Sequence, residues 1–132
     1  MMDKKDRISL INYRLEQAKE TIKLTRFLFD SGKLNVAVNR IYYGMYYVLT
    51  ALALKHKFET SKHTQLIGWF NKHFVSGKPE NKNLGKILRN AYRNRTKGDY
   101  DAFVSFSMEE VAEMHHEMII FIERVEDLIT TD

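Results

Sequence analysis

Apolar residues return every three or four positions along most of this 132-residue chain, and short polar segments interrupt the pattern. This spacing places the apolar side chains on one face of a helix. It predicts amphipathic helices over residues 4–30, 34–57, 62–75 and 82–96, and from residue 107 to about residue 129. Because the connections are short, neighbouring helices should run antiparallel. The sequence therefore predicts an all-α fold, an up-and-down bundle of four to five helices, as a single domain over residues 1–132.

The second predicted helix is apolar or aromatic on most of its sides. Its four tyrosines place aromatic rings almost all the way round the helix; they are Tyr42, Tyr43, Tyr46 and Tyr47. Such a helix is usually central in a bundle or half-buried in an oligomer interface. The alternative is a base-stacking platform, although such platforms are mostly built on sheets. Gly44 costs about 1 kcal/mol relative to alanine inside a helix, so it predicts the close approach of another backbone from a packed helix.

Helix-terminating and helix-capping residues set the predicted boundaries. Gly32 is suited to a left-handed cap after the first helix, and residues 60–61 (Thr-Ser) can cap the third. Gly98 is expected to end the fourth helix. Ser107 and Glu110 form a capping box that opens the last helix.

The fourth predicted helix carries an arginine on its apolar face. Arg95 follows Ala91 and Tyr92 by four and three residues, whereas Arg89 and Arg93 fall on the surface. Burying an unpaired guanidinium is costly. We therefore expect Arg95 to meet a carboxylate, a group of carbonyls or a bound anion.

Composition narrows the class of protein. The chain is long enough for one continuous core, and the absence of cysteine excludes disulfides and thiolate metal sites. The charged N-terminus lacks a signal core, and the longest apolar stretch is too short and too polar to span a bilayer. A soluble, cytoplasmic protein that does not act on a membrane is the expectation.

The net charge of +4 is distributed unevenly. Residues 55–97 contain eleven Lys and Arg against two acids, whereas residues 98–132 contain ten acids and one Arg. The basic middle could meet a polyanion such as RNA or a nucleotide phosphate. Alternatively, the acidic tail compensates it, within the chain or across a partner subunit.

Motifs for metal, phosphate-loop and nucleophile chemistry do not support a site. Glu113 and His116 form one Glu-x-x-His, but a ferritin-like di-iron centre needs two copies. His115 and His116 are expected to be one core-facing and one surface histidine. There is no phosphate-cradling glycine loop, His-Glu-x-x-His or nucleophile elbow. Neither a metal nor a cofactor is predicted.

Several segments together carry a family resemblance. They are residues 37–47 (Ala-Val-Asn-Arg-Ile-Tyr-Tyr-Gly-Met-Tyr-Tyr), 61–64 (Ser-Lys-His-Thr), 74–77 (Phe-Val-Ser-Gly), 95–100 (Arg-Thr-Lys-Gly-Asp-Tyr) and 121–122 (Phe-Ile). In order and spacing they resemble the small, stand-alone prokaryotic branch of the HEPN superfamily, the higher eukaryotes and prokaryotes nucleotide-binding domain. The resemblance runs from about residue 12 to residue 128.

The resemblance implies a helical bundle that often forms a homodimer with a shared cleft. Many members act with a minimal nucleotidyltransferase as a two-component, toxin–antitoxin-like pair. Catalytic members are metal-independent RNases that carry Arg and, four to six residues later, His. The arginine holds the scissile phosphate, and the histidine moves the proton for attack by the 2′-hydroxyl.

This sequence departs from that motif because no histidine follows Arg93 or Arg95 at the required distance. Tyr100 stands about where the histidine would, but a phenol with an unperturbed pKa of about 10 is a poor base at pH 7. Asp99 could pair with Arg95 and silence both. His63 is a candidate substitute, although nothing in the sequence places it in the cleft.

The first functional hypothesis is therefore a HEPN-like module that binds RNA, a nucleotide or a partner nucleotidyltransferase. The alternatives are a metal-independent endoribonuclease toxin with a degenerate motif, and a purely structural or dimerisation domain closed by an Arg95–Asp99 ion pair. The candidate catalytic residues are Arg95 and Tyr100. The candidate ligand-binding residues are Arg93, Asn94, Arg95, Asp99, Tyr100 and His63.

Overall fold

Five α-helices make up most of the chain in the computed structural model, which describes residues 2–131. They are α1 (Lys4–Asp30), α2 (Leu34–Lys55), α3 (His63–Phe70), α4 (Lys82–Tyr100) and α5 (Met108–Thr130). A π-helical turn, Asn71–Val75, continues α3, and a short 3-10 turn, Pro79–Asn81, leads into α4. No strand occurs among the described residues. The prediction of an all-α helical bundle is confirmed.

Helix α2 lies at the centre of the bundle and contacts α1, α3, α4 and α5. Half of its length is buried, as its all-round apolar pattern predicts. The core is completed by side chains from every other helix. The largest buried side chains are Tyr42, Phe70, Phe121, Ile41, Met45, Leu49, Leu52, Leu84, Leu88, Met118, Ile122 and Val38.

Gly44 of α2 is closely approached, but by side chains rather than by another backbone. A Cβ at this position would lie 2.9 Å from the sulfur of Met118 and 3.3 Å from a methyl carbon of Thr21. These side chains belong to α5 and α1, so the missing Cβ lets three helices pack at one point.

Two of the predicted helix ends are confirmed. Gly32 has φ +75°, and the N–H groups of Gly32 and Lys33 donate to the carbonyls of Phe29 and Leu28. This left-handed cap turns the chain directly into α2. At the start of α5, Ser107 and Glu110 form the reciprocal capping box, with bonds of 3.1 and 2.9 Å.

Two other predicted helix ends are wrong. Gly98 does not end α4, which continues to Tyr100, with Phe106 packed beside Gly98. A helical glycine costs only about 1 kcal/mol, and the continuation places Asp99 one turn after Arg95. At α3, the N-cap position is Lys62 and no side chain caps the helix; Thr60 instead accepts the N–H of Lys62 at 3.2 Å.

The short helix α3 docks onto the bundle through aromatic side chains. Trp69 stacks on Phe58, with ring centroids 5.1 Å apart and planes 5° apart. Phe70 is fully buried and contacts Phe121 of α5. This docking fixes the position of His63, the first residue of α3.

Candidate functional site

Two residues that are distant in sequence converge on neighbouring tyrosines of α2. The guanidinium carbon of Arg95, from α4, lies 5.7 Å from the Tyr42 ring centre and 5.4 Å from that of Tyr43. The imidazole of His63, from α3, lies 5.6 and 5.9 Å from the same two rings. Three helices therefore bring an arginine and a histidine together over one pair of aromatic rings.

The Arg95 side chain is only 18% exposed, as its place on the apolar face predicts. Its Nη2 donates a hydrogen bond of 3.2 Å to the hydroxyl of Tyr43. Its Nε lies 3.0 Å from Oδ2 of Asp99. The N–H of that Nε does not point at an acceptor, so among the described residues this buried donor has no aligned hydrogen bond. The contact with Asp99 is therefore an ion pair without good hydrogen-bond geometry.

Asp99 is also held by the first turns of α2. Both of its carboxylate oxygens accept from Nδ2 of Asn39 at 3.3 Å. The amide oxygen of Asn39 accepts from Nε and Nη2 of Arg40, at 3.0 and 2.8 Å. The guanidinium of Arg40 lies 4.6 Å above the Tyr43 ring, which is a cation–π contact. A second arginine therefore stands at the edge of the site.

His63 is oriented by two further side chains. Its Nδ1 shares a hydrogen bond of 2.7 Å with the hydroxyl of Tyr42. Its ring stacks on Tyr46, with centroids 4.4 Å apart and planes 11° apart. We call the whole group the Arg–His cluster: Asn39, Arg40, Tyr42, Tyr43, Tyr46, His63, Arg95 and Asp99.

The protonation state of the cluster follows from burial and from Arg95. Burial lowers the pKa of His63, and the positive charge of Arg95 lowers it further, so the neutral imidazole is favoured near pH 7. Burial raises the pKa of Tyr42 despite the opposing effect of Arg95, so its hydroxyl stays protonated. Since Nδ1 is bonded to Tyr42, Nε2 is the ring nitrogen that is left to serve another group.

Similarity to known proteins shows the family of this chain. The model of the HEPN domain matches residues 11–128. The chain belongs to the HEPN family. A UPF0332 protein of Thermotoga maritima is 34% identical over 97% of this chain and 96% of its own length. A protein of Methanocaldococcus jannaschii, provisionally named a toxin, is 30% identical over 83% of this chain and 75% of its own length.

The remaining predicted site residues of this HEPN protein lie outside the cluster. Arg93 is exposed on the outer face of α4. Asn94 faces α5, with its amide nitrogen 3.9 Å from the sulfur of Met114. Tyr100 is 80% exposed. The predicted ligand-binding or catalytic role of these three residues stays a prediction that the cluster geometry does not support.

Five residues of the cluster were absent from the sequence-predicted site: Asn39, Arg40, Tyr42, Tyr43 and Tyr46. Arg40 looks like an ordinary surface cation at the start of a helix, and Asp99, the partner of Asn39, lies 60 residues further along the chain. One signal was present, since Arg40 precedes Tyr43 by three residues and therefore shares its side of the helix.

Histidines and carboxylates elsewhere do not assemble into a metal site. Within residues 2–131, no group of three or more His, Cys, Asp or Glu could hold a metal ion. His115 is half-buried, with Nε2 3.3 Å from the Ile22 carbonyl, and His116 is exposed, as predicted. The helices of the described residues include none that is long and apolar enough to cross a membrane.

Proposed function

We propose that this HEPN protein is a binding module that holds a phosphate group of RNA or of a nucleotide at the Arg–His cluster. The observation that carries the proposal is the convergence of Arg95 and His63 over Tyr42 and Tyr43. Guanidinium groups bind phosphate through paired, charge-assisted hydrogen bonds. The Nε–H of Arg95 has no aligned acceptor among the described residues, and because it is buried beside Asp99, a phosphate would reach it by displacing that carboxylate.

The other members of the cluster suit the remaining parts of a nucleotide. Tyr43 and Tyr46 are half-buried, and the ring faces that Arg40 and His63 leave uncovered would stack on a base. Arg40 supplies a second guanidinium at the edge of the cluster. Asp99 occupies the place of an anion beside Arg95, so an incoming phosphate competes with this carboxylate for the guanidinium.

Titration calorimetry with adenosine 5′-monophosphate tests the site. Arg95→Ala should weaken binding by about tenfold, because a hydrogen bond to a charged group contributes about 1.5–3 kcal/mol and tenfold corresponds to 1.4 kcal/mol. The matched control is Arg26→Ala, since Arg26 of α1 also pairs with an aspartate one turn later, at 3.2 Å. Equal affinities of the two folded variants would remove the cluster from the proposal.

A second candidate function, a metal-independent endoribonuclease, is favoured by the orientation of His63. In the neutral tautomer whose Nδ1–H donates to the Tyr42 hydroxyl, Nε2 carries no hydrogen and could take the proton of a 2′-hydroxyl. That oxygen would attack the adjacent phosphorus and displace the 5′-oxygen, which takes a proton from water or from the His63 imidazolium, while Arg95 binds the phosphate. The products would be a 2′,3′-cyclic phosphate and a 5′-hydroxyl.

His63→Gln distinguishes this function from binding alone. For a nuclease, the variant should lose cleavage of single-stranded RNA in the presence of a chelator while it keeps most of its affinity for adenosine 5′-monophosphate. Wild-type protein that leaves RNA intact between pH 6 and pH 8 would argue for the binding module.

The assembly of the protein is a further part of the proposal. Relatives that are provisionally named toxins support a two-component system, in which this chain would pair with a minimal nucleotidyltransferase. Homodimerisation would bring two clusters toward one cleft. Light scattering of the purified protein tests the dimer, and a mass of one chain would contradict it.

A further inference from the structure

A groove at the opposite end of α4 from Arg95 is not used by the proposed function. It has a volume of about 580 Å³ and lies between α4 and the π-helical turn that follows α3. Lys82, Lys86 and Arg89 line its α4 side. The opposite side and the floor are lined by Asn71, Val75, Ser76 and Pro79. We call it the basic groove.

Packing and hydrogen bonds hold the shape of the basic groove. Gly85 lets the π-helical turn lie against α4, because a Cβ there would come within 3.0 Å of Val75 and 3.2 Å of Asn71. The buried Asn81 donates to the Phe74 carbonyl at 2.8 Å, and Arg124 of α5 donates to the Asn81 side chain at 3.1 Å. The groove is therefore preformed.

The cations of the groove begin a longer row on α4. Lys82, Lys86, Arg89, Arg93 and Lys97 are all exposed. At 100° and 1.5 Å per residue they fall within a sector of about 80° and extend over about 22 Å. No acidic residue lies between the first and the last of them. Within the described part of the chain none of the five forms an ion pair, and Lys86 acts on Glu117 only at longer range.

The chain itself connects the groove to the Arg–His cluster. His63, the first residue of α3, belongs to the cluster, and Asn71, eight residues later, lines the groove. The backbone positions of these two residues are therefore about 12 Å apart along the axis of α3. At the stacked spacing of about 3.4 Å per nucleotide, this distance corresponds to three to four nucleotides.

We propose that the basic groove is a second phosphate-binding site, which takes the backbone of a single-stranded nucleic acid when a phosphate three to four nucleotides away lies at the Arg–His cluster. The choice of nucleic acid rests on the proposed function, whereas the groove and its cations stand independently of it. The three cations of the groove would face the phosphates. Hydrogen bonds to sugars or bases would come from Asn71, Ser76 and Asn83, and the apolar floor is formed by Val75 and Pro79. The volume of the groove suits nucleotide-sized ligands.

The experiment compares two probes, adenosine 5′-monophosphate and a single-stranded RNA octamer. The monophosphate can reach one site only, whereas the octamer can span both. The test variant is Lys86→Ala with Arg89→Ala. The matched control is Lys4→Ala with Lys5→Ala, which removes the same charge from an exposed part of α1.

The groove variant should bind the octamer more weakly, while the Arg95-dependent binding of the monophosphate stays as in the wild type. Each lost phosphate contact lowers the slope of log affinity against log salt by about 0.7 for a single strand, so this slope should fall by about 1.4. The control should leave both quantities unchanged. A groove variant with the wild-type slope and affinity overturns the proposal, as does a wild-type protein that binds a duplex as tightly as the octamer.

Arg95→Ala separates this proposal from the proposed function. If both hold, Arg95→Ala weakens the binding of both probes. If Arg95→Ala changes neither while the groove variant still weakens the octamer, the cluster is not a binding site and the groove is. If the wild type binds the monophosphate in an Arg95-dependent way but does not bind the octamer, the groove proposal fails and the cluster stands.

Discussion

The protein contains the same local ion pair in two very different surroundings. On α1, Arg26 pairs with Asp30, and on α4, Arg95 pairs with Asp99, each four residues apart through Nε and Oδ2 at 3.2 and 3.0 Å. The side chains of the α1 pair are 67% and 58% exposed, against 18% and 31% on α4. Only the exposed pair forms an aligned hydrogen bond.

The difference shows what orients an arginine. Asp30 is the hydrogen-bond and ion-pair partner of Arg26 within the described residues, so it sets the direction of the guanidinium. Arg95 also donates to Tyr43 and lies over two rings of α2, and these contacts turn its Nε–H away from Asp99. The identical spacing in sequence therefore gives a surface ion pair in one place and a candidate phosphate site in the other.

The two arginines should differ most in how much each contributes to the stability of the folded protein. Arg95→Ala should lower the free energy of unfolding by about 1–3 kcal/mol, because it removes the hydrogen-bond donor to the Tyr43 hydroxyl and the ion-pair partner of Asp99. Arg26→Ala should cost only about 0.3–0.5 kcal/mol, the usual value for an exposed pair at this spacing. Urea denaturation of both variants measures the two values. Similar losses would contradict a special environment for Arg95.

Tyr43→Phe tests one contact of Arg95 by itself, because it removes only the hydroxyl that accepts from Nη2. The ring stays in place, but the hydrogen bond from Arg95 Nη2 is lost, which should cost about 1 kcal/mol. The control is Tyr13→Phe, since Tyr13 is an exposed residue of α1, and it should change the free energy of unfolding by no more than about 0.5 kcal/mol. If both variants unfold at the same urea concentration, the Tyr43 hydroxyl does not hold Arg95.

A smaller effect should appear with pH, because only the Arg95 pair has a titrating neighbour. Since the folded pKa of His63 lies below its unfolded value, the unfolded chain binds more protons in that window, and stability falls as the pH drops below about 6.5. His63→Gln should flatten the dependence between pH 7 and pH 5. His116, which is exposed on α5, provides His116→Gln as the control. If the stability of His63→Gln depends on pH as that of the wild type does, the His63 side chain is solvent-exposed in the folded protein.

The smallest expected effect is a gain of binding. Asp99→Asn removes the carboxylate that competes with a phosphate for Arg95, so adenosine 5′-monophosphate should bind about threefold more tightly, which is about 0.6 kcal/mol. Asp30→Asn should leave the affinity unchanged. Weaker binding by Asp99→Asn would mean that Asp99 positions Arg95 for the ligand instead of blocking it.

Much of the fold followed from the sequence because helix period and capping are local. The spacing located all five helices, and it placed Arg95 on the inner face and Arg89 on the outer one. The proposed pairing of Arg95 with Asp99 was accessible for the same reason, since one turn of helix brings the two side chains together.

The parts of the site that could not be predicted depend on packing between helices. Tyr100 follows Arg95 by five residues, so the unbroken helix turns it about 140° away. This separation could not be predicted while the helix was expected to end at Gly98. The position of His63 depends on how α3 docks, which no spacing within α3 records. Asn39 reaches Asp99 only because the first turns of α2 lie beside the last turn of α4.

The docking of α3 through Trp69 and Phe58 has a practical consequence. Trp69 is the chain's one tryptophan, and it sits on the same eight-residue helix that begins with His63. Short segments can open locally at a lower free energy than the whole molecule. If α3 detached, Trp69 would leave Phe58 at the moment His63 left Tyr42. The intrinsic fluorescence of the unlabelled protein is thus a built-in reporter of whether the cluster is assembled.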